Sequence, residues 1–124
     1  MGTEVTKDAA FELLLANATH RCRDGSSVED YEPSFVRVLK YMQAKPEKLP
    51  FFAARFRAYL EGEGFCHELV AFCMHTVQLT AVRDHARALL EEASPRAWSP
   101  LSTIVESFEE DWADADLYEF YRRE

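Results

Sequence analysis

The chain has 124 residues, 48% of them hydrophobic, and a formal net charge of −8. This length is typical of one domain, and the apolar content can build a core over residues 1–124 without disulfide or metal staples. With only four glycines and five prolines, the chain is neither disordered nor fibrous in composition.

The charge excess lies entirely in the second half of the chain. Residues 63–124 carry thirteen acidic and five basic side chains, whereas residues 1–62 carry nine of each. Direct nucleic-acid binding needs clustered Lys and Arg, so this distribution argues against it. It favours a protein partner of basic character, because complementary charge raises encounter rates.

The cysteines and the lack of a membrane segment predict a reduced, cytoplasmic protein. The longest apolar run, residues 69–74, is too short to cross a bilayer, and the N-terminus has no signal-peptide pattern. An odd number of cysteines without a secretory signal indicates free thiols at Cys22, Cys66 and Cys73. We expect Cys66 and Cys73 to be small buried apolar side chains.

Apolar residues at helical spacing predict three helices in the first half of the chain. The first covers about residues 8–23 and ends at "DGSS". The second covers about residues 31–43 and has Pro33 in its first turn, where no intrahelical N–H bond is lost. The third follows "KPEKLP" and ends near residue 60, before "EGEG".

The second half predicts three or four further helices. The fourth, about residues 65–79, is apolar on nearly all sides and is therefore expected to be central. Thr80 caps a fifth helix that ends near residue 93, and Pro100 opens a sixth whose apolar stripe continues to Trp112. Asp114 caps a short last helix with Leu117 inward, together with Phe120 and Tyr121. We predict an all-α fold of six to seven short antiparallel helices, as a compact bundle or a stack of helix hairpins.

One stretch, residues 106–119, combines aromatic side chains with seven acids and contains no Lys or Arg. Helical phase places the rings toward the core and the acids toward water. Like charges at neighbouring helical positions repel by a few tenths of a kcal/mol per pair, so we infer that the stretch serves a partner. Trp112 and Tyr118, if partly exposed, supply aromatic anchors of the kind found in tight interfaces. The candidate partner-binding residues are Glu106, Glu109, Glu110, Asp111, Trp112, Asp114, Asp116 and Tyr118.

No group of residues in the sequence indicates catalysis or a cofactor. Zinc needs four converging ligands, and although Cys66 and Cys73 can share a helix face, His75 points about 200° away from Cys73. Cys66 lies near a helix start but has no orienting partner or oxyanion hole. Catalytic carboxyls are distinguished by burial, which a run of exposed acids does not offer. We therefore predict no catalytic residue, no metal ligand, no cofactor and no enzymatic activity.

Two stretches resemble known proteins. "VRDHARALL", residues 82–90, resembles the second helix of a HEAT-type repeat. Residues 68–92 and 104–122 together resemble the C-terminal half of small acidic helical immunity proteins, which occur beside bacterial polymorphic or contact-dependent toxins. This resemblance implies a cytoplasmic protein that binds and neutralises a cognate, basic toxin domain. The alternative is a general helical-repeat adaptor or structural protein with an unknown partner.

Overall fold

Six α-helices surround one cluster of buried hydrophobic side chains in the computed structural model, which describes residues 8–25, 27–62, 64–92 and 100–122. The described residues contain no strand, so the all-α prediction is confirmed. None of their helices has both the length and the apolar character needed to cross a bilayer. The helices are α1 (Ala9–Asp24), α2 (Val28–Gln43), α3 (Leu49–Glu61), α4 (His67–Thr76), α5 (Thr80–Glu92) and α6 (Pro100–Glu106). Two short 3-10 helices cover Pro46–Lys48 and Ala113–Leu117.

Helix α4 lies at the centre of the fold, as its composition predicts. The six consecutive residues 69–74 are all fully buried, and the helix packs against α1, α2 and α6. The helix is shorter than the predicted 65–79. Cys66 is its N-cap and His67 its first residue, while Val77 has left helical geometry.

The remaining helices do not simply pair in chain order. Helices α1 and α2 pack together, and so do α5 and α6, but α3 packs chiefly against α5. The ring of Phe52 on α3 also lies 4.8 Å from that of Phe11 on α1, measured between centroids. The expectation that consecutive helices form successive hairpins is therefore met only in part. These contacts give the HEAT-like alternative no support.

Helix α2 begins three residues earlier than predicted. It starts at Val28, so Pro33 lies inside the helix rather than in its first turn. Proline has no N–H to donate to the carbonyl four residues back, which here belongs to Glu29. The adjacent Ser34 hydroxyl donates to the Tyr31 carbonyl at 2.6 Å, which satisfies another acceptor of the same turn.

Helix α6 ends at Glu106, and the prediction that it continues to Trp112 is wrong. The imidazole Nδ1–H of His75 donates to the Ser107 carbonyl at 2.8 Å, and the Gln78 amide donates to the Phe108 carbonyl at 3.1 Å. The last carbonyls of the helix, residues 103–106, accept from the backbone N–H groups of residues 107–109. His75 and Gln78 satisfy the next two carbonyls, which would accept from a further helical turn if the helix continued.

The last predicted helix is a 3-10 helix and is not capped by Asp114. Its N-cap position is Trp112, and Asp114 lies in its first turn. Leu117, which was expected to face inward, is 55% exposed. Phe120 and Tyr121 are partly buried against the core, as predicted. A 3-10 helix has three residues per turn rather than 3.6, so the inward positions inferred from α-helical phase do not hold across it.

Asp8 joins the start of α1 to the end of α2 and the first 3-10 helix. Its Oδ1 accepts from the Phe11 N–H at 3.2 Å and so caps α1. Its Oδ2 accepts from the Tyr41 hydroxyl at 2.6 Å and from Lys48 Nζ. The bond from Lys48, followed by that from Tyr41, holds the pKa of this carboxyl well below its usual range.

We expect Asp8→Asn to lower the free energy of unfolding by about 1–2 kcal/mol at neutral pH, because one charged acceptor with three donors is lost. Since the folded pKa is depressed, the ionised Asp8 stabilises the fold fully above about pH 4 and loses this contribution as the pH falls. The difference between variant and wild type should therefore shrink below about pH 4. Urea denaturation at several pH values measures it. The exposed Glu47→Gln is the control, and a difference independent of pH would contradict this assignment.

Candidate functional site

The acidic C-terminal stretch is exposed and is not neutralised within the described part of the molecule. We call the following six residues the acidic segment: Glu106, Glu109, Glu110, Asp111, Asp114 and Asp116. All six are exposed, and none forms an ion pair or a side-chain hydrogen bond with another described residue. Between residues 100 and 122 the only basic side chain is Arg122.

Two side chains from the end of α4 and the residues after it fix the backbone just before the turn that carries Glu109, Glu110 and Asp111. His75 and Gln78 bind the carbonyls of Ser107 and Phe108, immediately before Glu109. Ser107 is fully buried, and its hydroxyl donates to the Ile104 carbonyl at 2.6 Å. The backbone before the acidic turn is therefore fixed to the region at the end of α4, while the carboxylates project from it into solvent.

The chain after the acidic segment is fixed to α2 by a single buried carboxylate. Glu32 is only 9% exposed; its Oε1 accepts from the Glu119 N–H at 3.1 Å and its Oε2 from the Phe120 N–H at 2.7 Å. The Tyr121 hydroxyl donates to the Phe72 carbonyl of α4 and accepts from the nearby Thr76 hydroxyl at 2.6 Å. The acidic segment thus lies between two anchored stretches of backbone.

Trp112 and Tyr118 belong to the core and not to the exposed part of the segment. Trp112 is 6% exposed and Tyr118 is 1% exposed. The two rings stack at 6.2 Å between centroids, and the Tyr118 ring lies 4.9 Å from that of Phe72. Burial raises the pKa of the Tyr118 hydroxyl. These two residues were expected to act as aromatic anchors only if they were partly exposed. This condition is not met, because both rings are buried and have no free face for a partner.

Leu117, and not Trp112 or Tyr118, is the exposed large apolar side chain near the acids. It is one of two large hydrophobic side chains described as exposed, the other being Leu13 on α1. It lies next to Asp116 in the second 3-10 helix, within the part of the chain that carries the acids. Helical phase predicted an inward Leu117, so only the recognition of a 3-10 turn would have identified it from sequence.

The sulfur chemistry differs from the predicted set of three free thiols. The structure joins Cys22, in the last turn of α1, to Cys66, the N-cap of α4, as a disulfide. Cys73 is the free cysteine, fully buried in the core, and burial raises the pKa of its thiol. A disulfide-bonded Cys66 cannot act as a nucleophile.

A carboxylate lies against this sulfur pair. Oε1 of Glu68 is 3.4 Å from Cys22 Sγ and 3.5 Å from Cys66 Sγ, and these three potential metal-ligating atoms all lie within 4.8 Å of one another. Local spacing in the sequence does not predict this group, because Cys22 and Cys66 are 44 residues apart. The predicted neighbours of Cys66 were Cys73 and His75, and the imidazole Nδ1 of His75 instead binds the Ser107 carbonyl.

One groove lies between α1 and α3, and none of its lining residues belongs to the acidic segment. It has a volume of about 580 Å³ and is lined by Glu12, Thr19, Arg55 and Tyr59, among others. Arg55 makes two hydrogen bonds to the Glu12 carboxylate, at 2.5 and 2.8 Å, and this bond raises the pKa of the guanidinium. The charge of Arg55 is thus balanced within the molecule, so the groove presents no free cation from this residue.

No protein-family model, curated protein or solved structure matches the chain.

Proposed function

We propose that the protein is a non-enzymatic binding module that contacts a basic protein through its acidic C-terminal face. The observation that supports this proposal most strongly is the acidic segment itself. Its six carboxylates are exposed and have no cationic partner among the described residues. A molecule selected for stability alone would place lysine or arginine among them, because neighbouring like charges are unfavourable.

The anchoring of the segment supports the same proposal. The carbonyls before Glu109 are bound by His75 and Gln78, and the amides after the segment are bound by Glu32. Backbone fixed at both ends loses less conformational entropy on binding than a free tail would. Leu117 is the exposed apolar side chain available to the contact.

The most concrete form of this proposal is a cytoplasmic immunity protein that neutralises a cognate toxin domain. The support is the resemblance of residues 68–92 and 104–122 to such proteins, together with the charge. Many toxin domains that attack nucleic acid have a basic groove, which an acidic surface can occupy in place of phosphate. The alternative, a helical adaptor with another partner, predicts binding without protection of cells.

The first experiment is co-expression with the product of the adjacent gene and co-purification at low and high salt. A complex that weakens as salt rises supports recognition led by charge. Protection of growth when the partner is expressed distinguishes an immunity protein from an adaptor. A neighbouring gene product that neither binds nor harms the cell would contradict the immunity form.

Charge reversal then tests the surface. We expect the triple variant Glu109→Lys, Glu110→Lys and Asp111→Lys to weaken the complex at least about tenfold, because each reversal replaces attraction with repulsion. The matched control is Glu47→Lys with Glu91→Lys and Glu92→Lys, three exposed acids outside the segment. Calorimetry measures both affinities, and circular dichroism checks that both variants stay helical. Equal affinity for the two triple variants would exclude the acidic segment as the contact.

A further inference from the structure

The Cys22–Cys66 pair and Glu68 form a group that the disulfide alone does not explain. Cys22 comes from α1, whereas Cys66 and Glu68 come from the start of α4. The Glu68 carboxylate oxygen approaches both sulfurs, at 3.4 and 3.5 Å. A disulfide has no proton to donate to a carboxylate, whereas a thiol has one. The same oxygen also lies 3.4 Å from Nδ1 of the His67 imidazole, and reduction of the disulfide would add the two thiols as donors to this carboxylate.

Two thiols and a carboxylate are also a ligand set for a thiophilic divalent cation. Zinc accepts Cys sulfur and Glu oxygen in tetrahedral sites, with water able to fill a fourth position. The three ligand atoms already lie within 4.8 Å of one another, so they need little movement to converge. Calcium and magnesium prefer sites made of oxygen, so the two sulfurs select against them.

We propose that, when the disulfide is reduced, Cys22 and Cys66 bind one Zn²⁺ ion together with Glu68. Zinc binding and the disulfide then exclude each other, because both use the same two sulfur atoms. The protein would carry one of two links between α1 and α4, a covalent bond under oxidising conditions or a metal ion under reducing ones. This inference is independent of the proposed partner, since none of the three residues belongs to the acidic segment.

The exchange between the two states balances with a dithiol as reductant. One reductant thiolate attacks Cys22 Sγ, because Cys22 is partly exposed whereas Cys66 is only 3% exposed. The S–S bond breaks and Cys66 leaves as a thiolate. The second reductant thiol then displaces Cys22, so the reductant becomes a disulfide and the protein holds two thiols. Binding of Zn²⁺ releases the remaining thiol protons to solvent.

The test is a zinc titration of the full chain, reduced under anaerobic conditions and compared with the oxidised chain. A chromophoric chelator reports the competition for Zn²⁺. We expect one equivalent bound by the reduced protein and none held by the oxidised protein. Substitution with Co²⁺ should add thiolate-to-metal charge-transfer absorption, which reports sulfur ligation directly. Circular dichroism of the reduced, zinc-free chain shows whether the metal binds to a folded protein.

Variants identify the ligands. Cys22→Ser should abolish the stoichiometric site, and Glu68→Gln should weaken it by about tenfold or more. Cys73→Ala is the matched control and should leave both zinc affinity and the charge-transfer band unchanged, because Cys73 is buried in the core and is not one of the three clustered ligands. Failure of the reduced wild type to bind Zn²⁺ would overturn the proposal. So would binding that survives in Cys22→Ser, which would mark adventitious metal.

Discussion

Phe72→Ala is expected to lower the free energy of unfolding by about 3–5 kcal/mol, the range for removing a fully buried ring. Phe72 is completely buried on the central helix α4. Its ring lies 4.9 Å from that of Tyr118, 5.0 Å from that of Tyr121 and 5.5 Å from that of Phe35, between centroids. The alanine variant therefore leaves a cavity where α2, α4 and the C-terminal segment meet.

Urea denaturation followed by circular dichroism measures this change, and Phe72→Leu should fall between the alanine variant and wild type. Leu13→Ala is the control, because Leu13 is 72% exposed on α1 and its loss should change stability by less than about 0.5 kcal/mol. A Phe72→Ala variant as stable as Leu13→Ala would show that the ring is not in the core.

The second large effect is expected for Glu32→Gln. The glutamate accepts the N–H groups of Glu119 and Phe120, one on each carboxylate oxygen. Glutamine keeps one oxygen as a neutral acceptor and turns an NH₂ group toward the other N–H, where no hydrogen bond can form. The loss of a charged acceptor, together with one N–H group left without an acceptor, should lower the free energy of unfolding by about 3 kcal/mol. We expect the backbone of residues 119 and 120 to separate from α2 while the helices remain.

Hydrogen exchange at the amides of Glu119 and Phe120 measures this local release, and urea denaturation measures the global change. The control is Glu29→Gln, an exposed acid three residues earlier on the same helix. If the proposed function is correct, Glu32→Gln also weakens partner binding, although Glu32 itself is buried. Unchanged amide protection in Glu32→Gln would show that the carboxylate does not hold the segment.

The helices of the first part of the chain follow from signals that are local in the sequence. The first five helices were predicted because the apolar period repeats within about a dozen residues, which is a local signal. The central place of α4 followed from its apolar character on all sides. The start of α2 was misplaced because Pro33 was assumed to mark a first turn, whereas the helix begins at Val28 and includes the proline.

The end of α6 could not be read from nearby residues. The donors that replace the next helical turn are His75 and Gln78, which are 32 and 30 positions upstream of the carbonyls they bind. The disulfide has the same character, since its cysteines are 44 residues apart. Contacts of this kind depend on how the helices pack, so the spacing of apolar residues along the sequence cannot predict them.

In the candidate site, too, some features could be predicted from the local sequence and others could not. Exposure of the acids was predicted from helical phase and composition, and all six carboxylates of the acidic segment are exposed. The inward packing of Trp112 was also predicted, and its burial removes it as an anchor. Leu117 was misplaced because the chain winds as a 3-10 helix there.

The bonds from Glu32 to the backbone of residues 119 and 120 join positions 87 and 88 residues apart. Closing so long a loop is entropically costly until the intervening helices have brought its ends together. The helices between these positions must therefore pack before the two bonds can form. The backbone that follows the acidic segment therefore becomes fixed only after α2 and the core helices have packed.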